Sequence, residues 1–270
     1  MGVLDFEGLR LHYVDEGDGE PILLLHGEPT WSFLWRNVIP QLPGRKIAPD
    51  LIGFGQSDKP EDIGWYSYDR HVASVTQLVE ELDLRGITLV VHDWGGPIGL
   101  RFAVENPDRV ARLAILNTGI GGGRAPSETW LRFRAVVREL GGDLDIGRLV
   151  EAGTSHGLSD ETRAAYDDCF PTPASKAGAL AFPELVPTDP DHPNTAPMNR
   201  VAEALRDWTK PTTVIWGADD RVLPLQIAQA FVEMIPGATK PVVAIEGASH
   251  FLQEDKPDEV AAGIRELLAR

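Results

Sequence analysis

Two hydrophobic rhythms alternate through the first 117 residues. Short apolar runs at Pro21 to Leu25, Arg45 to Pro49, Ile87 to Val91 and Val110 to Leu116 have the length of buried strands. Between them, Ser67 to Leu82 places Val72, Val75, Leu78, Val79 and Leu82 at helical spacing. Trp31 to Leu42 and Pro97 to Glu105 are also predicted helices, the second stopped at Asn106-Pro107, and Val3 to Val14 reads as an opening hairpin. Repeated βα units of this kind build a doubly wound, mostly parallel sheet covered on both faces.

The rhythm breaks after Asn117. Gly119 and Gly121 to Gly123 open a stretch, proline-dense from Pro171 to Pro197, that has helical patches and no strand pattern. Strand chemistry returns at Thr212 to Trp216 and Pro241 to Glu246, and Asp258 to Leu268 closes the chain as a helix. The sheet pattern continues on the far side of the break. The prediction is therefore an α/β core formed by residues 1–117 and 198–270, with a helical cap inserted at 118–197.

Charge narrows the partners. Lys and Arg total 25 against 41 Asp and Glu, a formal charge of −16, which repels nucleic acid and anionic membranes. The lone Cys169 has no disulfide partner and is expected to be a buried bystander; His12, His71, His156 and His192 share no metal-ligand spacing, so no metal is expected. No apolar run approaches the roughly 20 residues of a membrane span. The start, Met-Gly-Val-Leu-Asp-Phe, lacks the basic and apolar regions of a signal peptide, and Phe6 stands where a myristoylation motif needs Ser or Thr, so a cytoplasmic protein is expected.

The sharpest chemical feature is Leu89-Val90-Val91-His92-Asp93-Trp94-Gly95-Gly96, a hydrophobic strand running into a small-residue turn and a helix. Such a nucleophile elbow lifts its apex side chain out of the sheet beside free backbone N–H groups, and the apex here is Asp93 rather than serine. Asp93 as a plain helix cap is the competing reading. After the later strands come Gly217-Ala218-Asp219-Asp220 and Gly247-Ala248-Ser249-His250. In a doubly wound sheet these strand ends share one crevice, so Asp93, Asp220 and His250 should converge in the order nucleophile, acid, histidine, with Asp219 the other candidate acid.

The chain resembles the haloalkane dehalogenases of the α/β-hydrolase superfamily, specifically the subfamily with an Asp-His-Asp triad and two halide-binding tryptophans. The likeness rests on His26-Gly27-Glu28-Pro29-Thr30-Trp31-Ser32, on Asp50-Leu51-Ile52-Gly53-Phe54-Gly55-Gln56-Ser57-Asp58-Lys59-Pro60, on the Asp93 elbow, and on Ser249-His250-Phe251-Leu252-Gln253-Glu254-Asp255. In the insertion, Ala165-Tyr166-Asp167, Phe170-Pro171, Phe182-Pro183 and Leu185-Val186-Pro187 look like that subfamily's cap. The resemblance implies Asp93 as nucleophile, His250 as base for water, Asp220 as its orienting acid, Trp94 and Trp130 as halide ligands, and the backbone N–H groups of Glu28 and Trp94 as an oxyanion hole. It also implies a small apolar halogenated substrate and no organic cofactor. For Trp130 the alternative is cap packing, and the Glu28 side chain can be read as a solvent-facing turn residue.

The chemistry suits these residue types. A carboxylate can displace halide from saturated carbon without first losing a proton. Indole N–H groups donate to the leaving anion within an apolar wall. A histidine, neutral near its ordinary pKa of about 6.5, can then activate water against the ester. Two rivals share the scaffold. An epoxide hydrolase would need a pair of cap tyrosines, and the insertion holds Tyr166 alone; a fluoroacetate-type enzyme would place arginine where Trp94 stands. A non-catalytic binding protein of this fold is the alternative of another class.

Overall fold

The computed structural model describes residues 1–123 and 125–270. Its strands are β1 (Gly2–Phe6), β2 (Leu9–Glu16), β3 (Pro21–Leu25), β4 (Arg45–Pro49), β5 (Ile87–His92), β6 (Val110–Leu116), β7 (Thr212–Gly217) and β8 (Val243–Ile245). They form one sheet in the order β1-β2-β4-β3-β5-β6-β7-β8. The opening hairpin joins antiparallel, and β3 through β8 run parallel. Every residue of β5 is buried, as an apolar run in a parallel sheet covered on both faces requires. Chain order reverses between β3 and β5, since β4 lies beyond β3 and β6 beyond β5, and this reversal opens a crevice at the carboxyl edge.

Helices α1 (Tyr68–Glu81), α2 (Gly95–Glu105), α3 (Glu128–Leu140), α4 (Ile146–Ala152), α5 (Asp160–Asp167), α6 (Ala177–Leu185), α7 (Thr195–Ala204), α8 (Leu225–Met234), α9 (Leu252–Asp255) and α10 (Pro257–Leu268) complete the chain. The α1 helix starts where the Ser67 hydroxyl accepts from the Arg70 N–H, and it buries Val72, Val75, Leu78 and Val79 as its spacing predicts. Each such aliphatic side chain contributes roughly 1.5–3 kcal/mol when fully removed from water.

Residues Trp31 to Leu42 depart from expectation: two 3-10 turns, Ser32–Trp35 and Ile39–Gln41, replace the predicted helix. Pro40 supplies no N–H and its ring crowds the preceding turn, which disfavours a continuous α-helix through it. Trp35 and Ile39 are still buried, so the hydrophobic pattern is honoured by a tighter winding.

Among the described residues no strand lies between β6 and β7; α3 to α6 fill that interval, and α7 crosses residue 197 to pack against α2. Phe182 of α6 is fully buried, edge-on to Trp94 at 5.1 Å and to Phe54 at 5.2 Å. Among the described residues no helix is long and apolar enough to cross a membrane. Cys169 is half-buried, its thiol 3.4 Å from the Tyr166 carbonyl and pushed up to about 11 by burial.

Candidate active site

Asp93 takes φ +47°, a left-handed conformation that a side chain adopts only under constraint. The constraint is visible on both sides of it. The Asp93 N–H donates to the Asn117 carbonyl at 3.1 Å, and the Asp93 carbonyl accepts from the Gly96 N–H at 2.8 Å and from the Thr118 hydroxyl at 2.6 Å. A Cβ on Gly27 would overlap the Asp93 side chain, and one on Gly95 would meet the Leu25 carbonyl. Glycine at both places lets the elbow and the turn after β3 close on each other.

That approach brings the Glu28 N–H to 2.8 Å from Asp93 Oδ1. The turn carrying it is braced by His26, whose Nε2 accepts from the Leu51 N–H at 2.9 Å, which leaves its Nδ1–H to donate to the Gly27 carbonyl at 2.8 Å. The first residue before α2 is Trp94, and no side chain caps that helix. Asp93 is therefore not a helix cap: its carboxylate is aimed across the sheet edge. Burial works against its charge, but His250 and the Trp94 backbone N–H hold it below the usual carboxylate range.

His250 follows β8. Its Nδ1 lies 2.9 Å from Asp220 Oδ2 and its Nε2 lies 3.5 Å from Asp93 Oδ2. Asp219 is exposed and its N–H donates to the Ala248 carbonyl, so Asp220 is the acid that reaches the ring. Asp220 is fixed through both oxygens. Oδ1 accepts from the Val222 and Leu223 N–H groups at 2.7 and 3.0 Å, and Oδ2 accepts from Asn117 Nδ2 at 2.7 Å. Asn117 in turn accepts from the Gly217 N–H at 2.8 Å, tying the ends of β6 and β7 together. His92, driven down to about 4 chiefly by burial and so neutral, donates from Nε2 to the His250 carbonyl at 2.8 Å.

Burial pushes the imidazole toward neutrality, but the Asp220 and Asp93 carboxylates outweigh it and hold His250 up at about 10. With Asp93 and Asp220 ionised, the balance favours the imidazolium.

Asp93, Trp94, Trp130, His250 and Glu28 line one cavity of about 670 Å³ beneath the inserted helices. Its wall is mainly apolar, as a site for a small uncharged molecule requires. Trp130 stands in the first turn of α3, half-buried, its ring covered by the Arg134 guanidinium at 4.7 Å. Glu28 does not face solvent. Its side chain is only 7% exposed, its Oε1 is buried without a partner, and burial together with the neighbouring Asp93 charge raises its carboxyl well above the usual range. Among the described residues no tyrosine lines the cavity. Tyr166 is fully buried, and its hydroxyl donates to Glu254.

Three residues of this arrangement escape a reading of motifs: the Glu28 carboxyl, Asn117 and His92. Asn117 had one signal, a polar side chain immediately after β6, beside the crevice.

Residues 20–257 match the family model described as alpha/beta hydrolase fold. The chain is 48% identical over 267 residues to a haloalkane dehalogenase of Mycolicibacterium paratuberculosis (strain ATCC BAA-968 / K-10), a match spanning 96% of this chain and 88% of that protein. It is 50% identical over 247 residues to haloalkane dehalogenase 1 of Mycobacterium bovis (strain ATCC BAA-935 / AF2122/97), covering 89% of this chain and 81% of that one. Among solved structures, a tetrameric haloalkane dehalogenase from Paraglaciecola agarilytica NO2 superimposes with a TM-score of 0.91 at 34% identity, over 98% of this chain and 91% of that one.

Proposed function

The chain belongs to the haloalkane dehalogenases of the α/β-hydrolase fold, and from that membership we propose how its own residues convert a haloalkane and water into an alcohol, a halide ion and a proton. Residues 118–197 act as the cap that closes the cavity. Asp93 is the nucleophile. Its Oδ1 is held by the Glu28 N–H, so Oδ2 attacks the carbon in line with the halogen, the carbon–halogen bond breaks, and an alkyl ester forms on Asp93. The departing halide takes its full charge inside an apolar wall, where the indole N–H groups of Trp94 and Trp130 replace part of its lost hydration.

Ester formation erases the Asp93 charge, one of the two that hold the proton on His250. The imidazolium then releases that proton to solvent, and the neutral Nε2 becomes the base for water. Asp220 keeps the ring oriented through Nδ1. Water gives a proton to His250 as its oxygen bonds to the ester carbon, and the oxyanion on Oδ1 is met by the Glu28 and Trp94 N–H groups. Collapse expels the alkoxide, which takes the proton from His250. The Asp93 acid left behind passes its own proton to His250, restoring the starting pair.

The observation that carries this reading is the Asp93 carboxyl group with one oxygen on the Glu28 N–H and the other facing a His250 anchored to Asp220. Epoxide opening lacks comparable support, because the cap tyrosine that would activate the epoxide oxygen is bound to Glu254 away from the cavity. The test is bromide release from short bromoalkanes, with Asp93→Ala and His250→Ala alongside. The wild type releases bromide through many turnovers, Asp93→Ala releases none, and His250→Ala accumulates one alkyl group per chain by intact mass. Turnover by Asp93→Ala, or no alkyl adduct on His250→Ala, would refute the covalent route.

A further inference from the structure

The backbone on both sides of His250 is fastened to the inserted helices. On the N-terminal side, the Ser249 N–H donates to Asp255 Oδ2 at 2.9 Å. The same carboxylate reaches into the segment between α4 and α5. It accepts from the Ser155 N–H at 2.8 Å on Oδ1 and 3.0 Å on Oδ2, and from the His156 N–H at 3.2 Å. On the C-terminal side, the Phe251 N–H donates to the Gly153 carbonyl at 3.0 Å. The Phe251 ring fills the place of a Gly153 side chain, with two ring carbons 2.6 Å from where its Cβ would be. One residue before Asp255, Glu254 makes a paired contact with the Arg36 guanidinium at 2.6 and 2.8 Å and accepts from the Tyr166 hydroxyl of α5.

An anionic acceptor shared by backbone N–H groups from two segments makes stronger, shorter hydrogen bonds than neutral pairs do. Among the described residues, segment 153–156 makes no such tie to Asp93, whose carbonyl accepts from the Thr118 hydroxyl where the insertion begins and whose N–H and Oδ1 are held by Asn117 and by the turn after β3. Segment 153–156 therefore grips the His250 half of the machinery and not Asp93.

We propose that Asp255 and the cap segment 153–156 are a positioning clamp for His250, so that the seating of this one segment sets the rate of ester hydrolysis and leaves the alkylation step, which uses Asp93, Trp94 and Trp130, unaffected; this rests on the reading of His250 as the base. Displacing a catalytic group by about 1 Å costs up to roughly a hundredfold in rate. Asp255→Asn keeps the shape but turns an amide N–H₂ toward N–H donors, and it slows ester hydrolysis by about tenfold to a hundredfold. Alkylation changes by less than about threefold. Since kcat/KM reports the steps through the first irreversible one and kcat reports the slow step, kcat and KM fall together while kcat/KM holds.

The experiment is a rapid-quench single turnover of a bromoalkane followed by intact mass, on the wild type, Asp255→Asn, Gly153→Ala and His250→Ala. Gly153→Ala presses on Phe251 from the other flank and produces the same split, so it carries the test should Asp255→Asn fail to fold. Accumulated ester in either variant, with alkylation near the wild-type rate, is the expected result. Ester hydrolysed at the wild-type rate, or both steps slowed equally, overturns the clamp. The His250→Ala arm separates the two claims: if it traps ester while the clamp variants do not, the base assignment stands and the clamp falls; if it traps none, the base assignment falls first.

Discussion

Replacing Asp93 by asparagine removes one negative charge beside His250 and keeps the shape of the side chain, mimicking the neutral ester in charge. The His250 Nε2 lies 3.5 Å from Asp93 Oδ2. At an effective dielectric near 20, a unit pair at that distance interacts by about 5 kcal/mol, equivalent to roughly 3 to 4 pKa units. Asp93→Asn should therefore bring His250 well down from about 10, with the larger hold of Asp220 left in place, toward the working pH of a general base. The assay is an NMR titration of the imidazole Cε1 resonance in histidine-labelled protein, assigned by loss of the signal in His250→Gln. Intact mass before and after checks that the amide has not been hydrolysed back to aspartate. Equal midpoints in the wild type and Asp93→Asn would refute the reasoning, because the Asp93 charge would then not hold the proton and ester formation could not release it. Stability gives a second readout. A histidine raised in the folded state contributes stability that is complete below its unfolded value of about 6.5 and is lost as pH rises through about 10. Thermal unfolding of the wild type should therefore weaken across that window, and the slope should flatten in Asp93→Asn.

Glu28→Gln replaces a buried acid, raised well above its ordinary range, with a neutral amide of the same size. The unfolded chain ionises Glu28 near its ordinary value of about 4.3 while the folded chain keeps the proton, so folding loses stability as pH climbs above that value. The variant should melt higher than the wild type at neutral pH and match it in acid, measured by thermal unfolding against pH; identical pH profiles would count against a neutral Glu28. Trp130→Phe keeps a ring in the cavity wall but deletes the N–H. A hydrogen bond to a charged group contributes about 1.5–3 kcal/mol, so bromide should bind about tenfold or more weakly as a product inhibitor, and unchanged inhibition would return Trp130 to packing.

Periodicity carried most of the fold, because β3, β5, β6 and α1 bury the apolar positions their spacing marks. It misjudged Trp31 to Leu42, where Pro40 tightens the winding into 3-10 turns without altering which residues are buried. At the site, Asp93 and His250 were legible since a nucleophile elbow and a polar residue past a strand end are local patterns. Asp220 and Asp219 are neighbours in sequence with equal chemistry. Only the backbone direction after β7 decides that the first bonds His250 and the second meets solvent. The burial of Glu28 and the hold of Asn117 on Asp220 depend on groups 65 and 103 residues away, distances over which no motif extends.

The inserted helices leave the sheet after β6 and the chain returns to it as β7, two strands that are immediate neighbours in register, Leu113 opposite Thr212 through Leu116 opposite Ile215. An excursion anchored at adjacent strands can lengthen or be exchanged at small entropic cost, since closing a longer loop adds only about 0.6 kcal/mol per doubling. The fold is thus open to inheriting new substrate ranges by exchange of its lid, with the elbow and triad untouched beneath. The Asp255 contacts limit that freedom. A transplanted lid would have to arrive with backbone donors where Ser155 and His156 now stand, so lineages of this scaffold should vary their lids most where α3 and α6 meet the cavity and least beside the histidine.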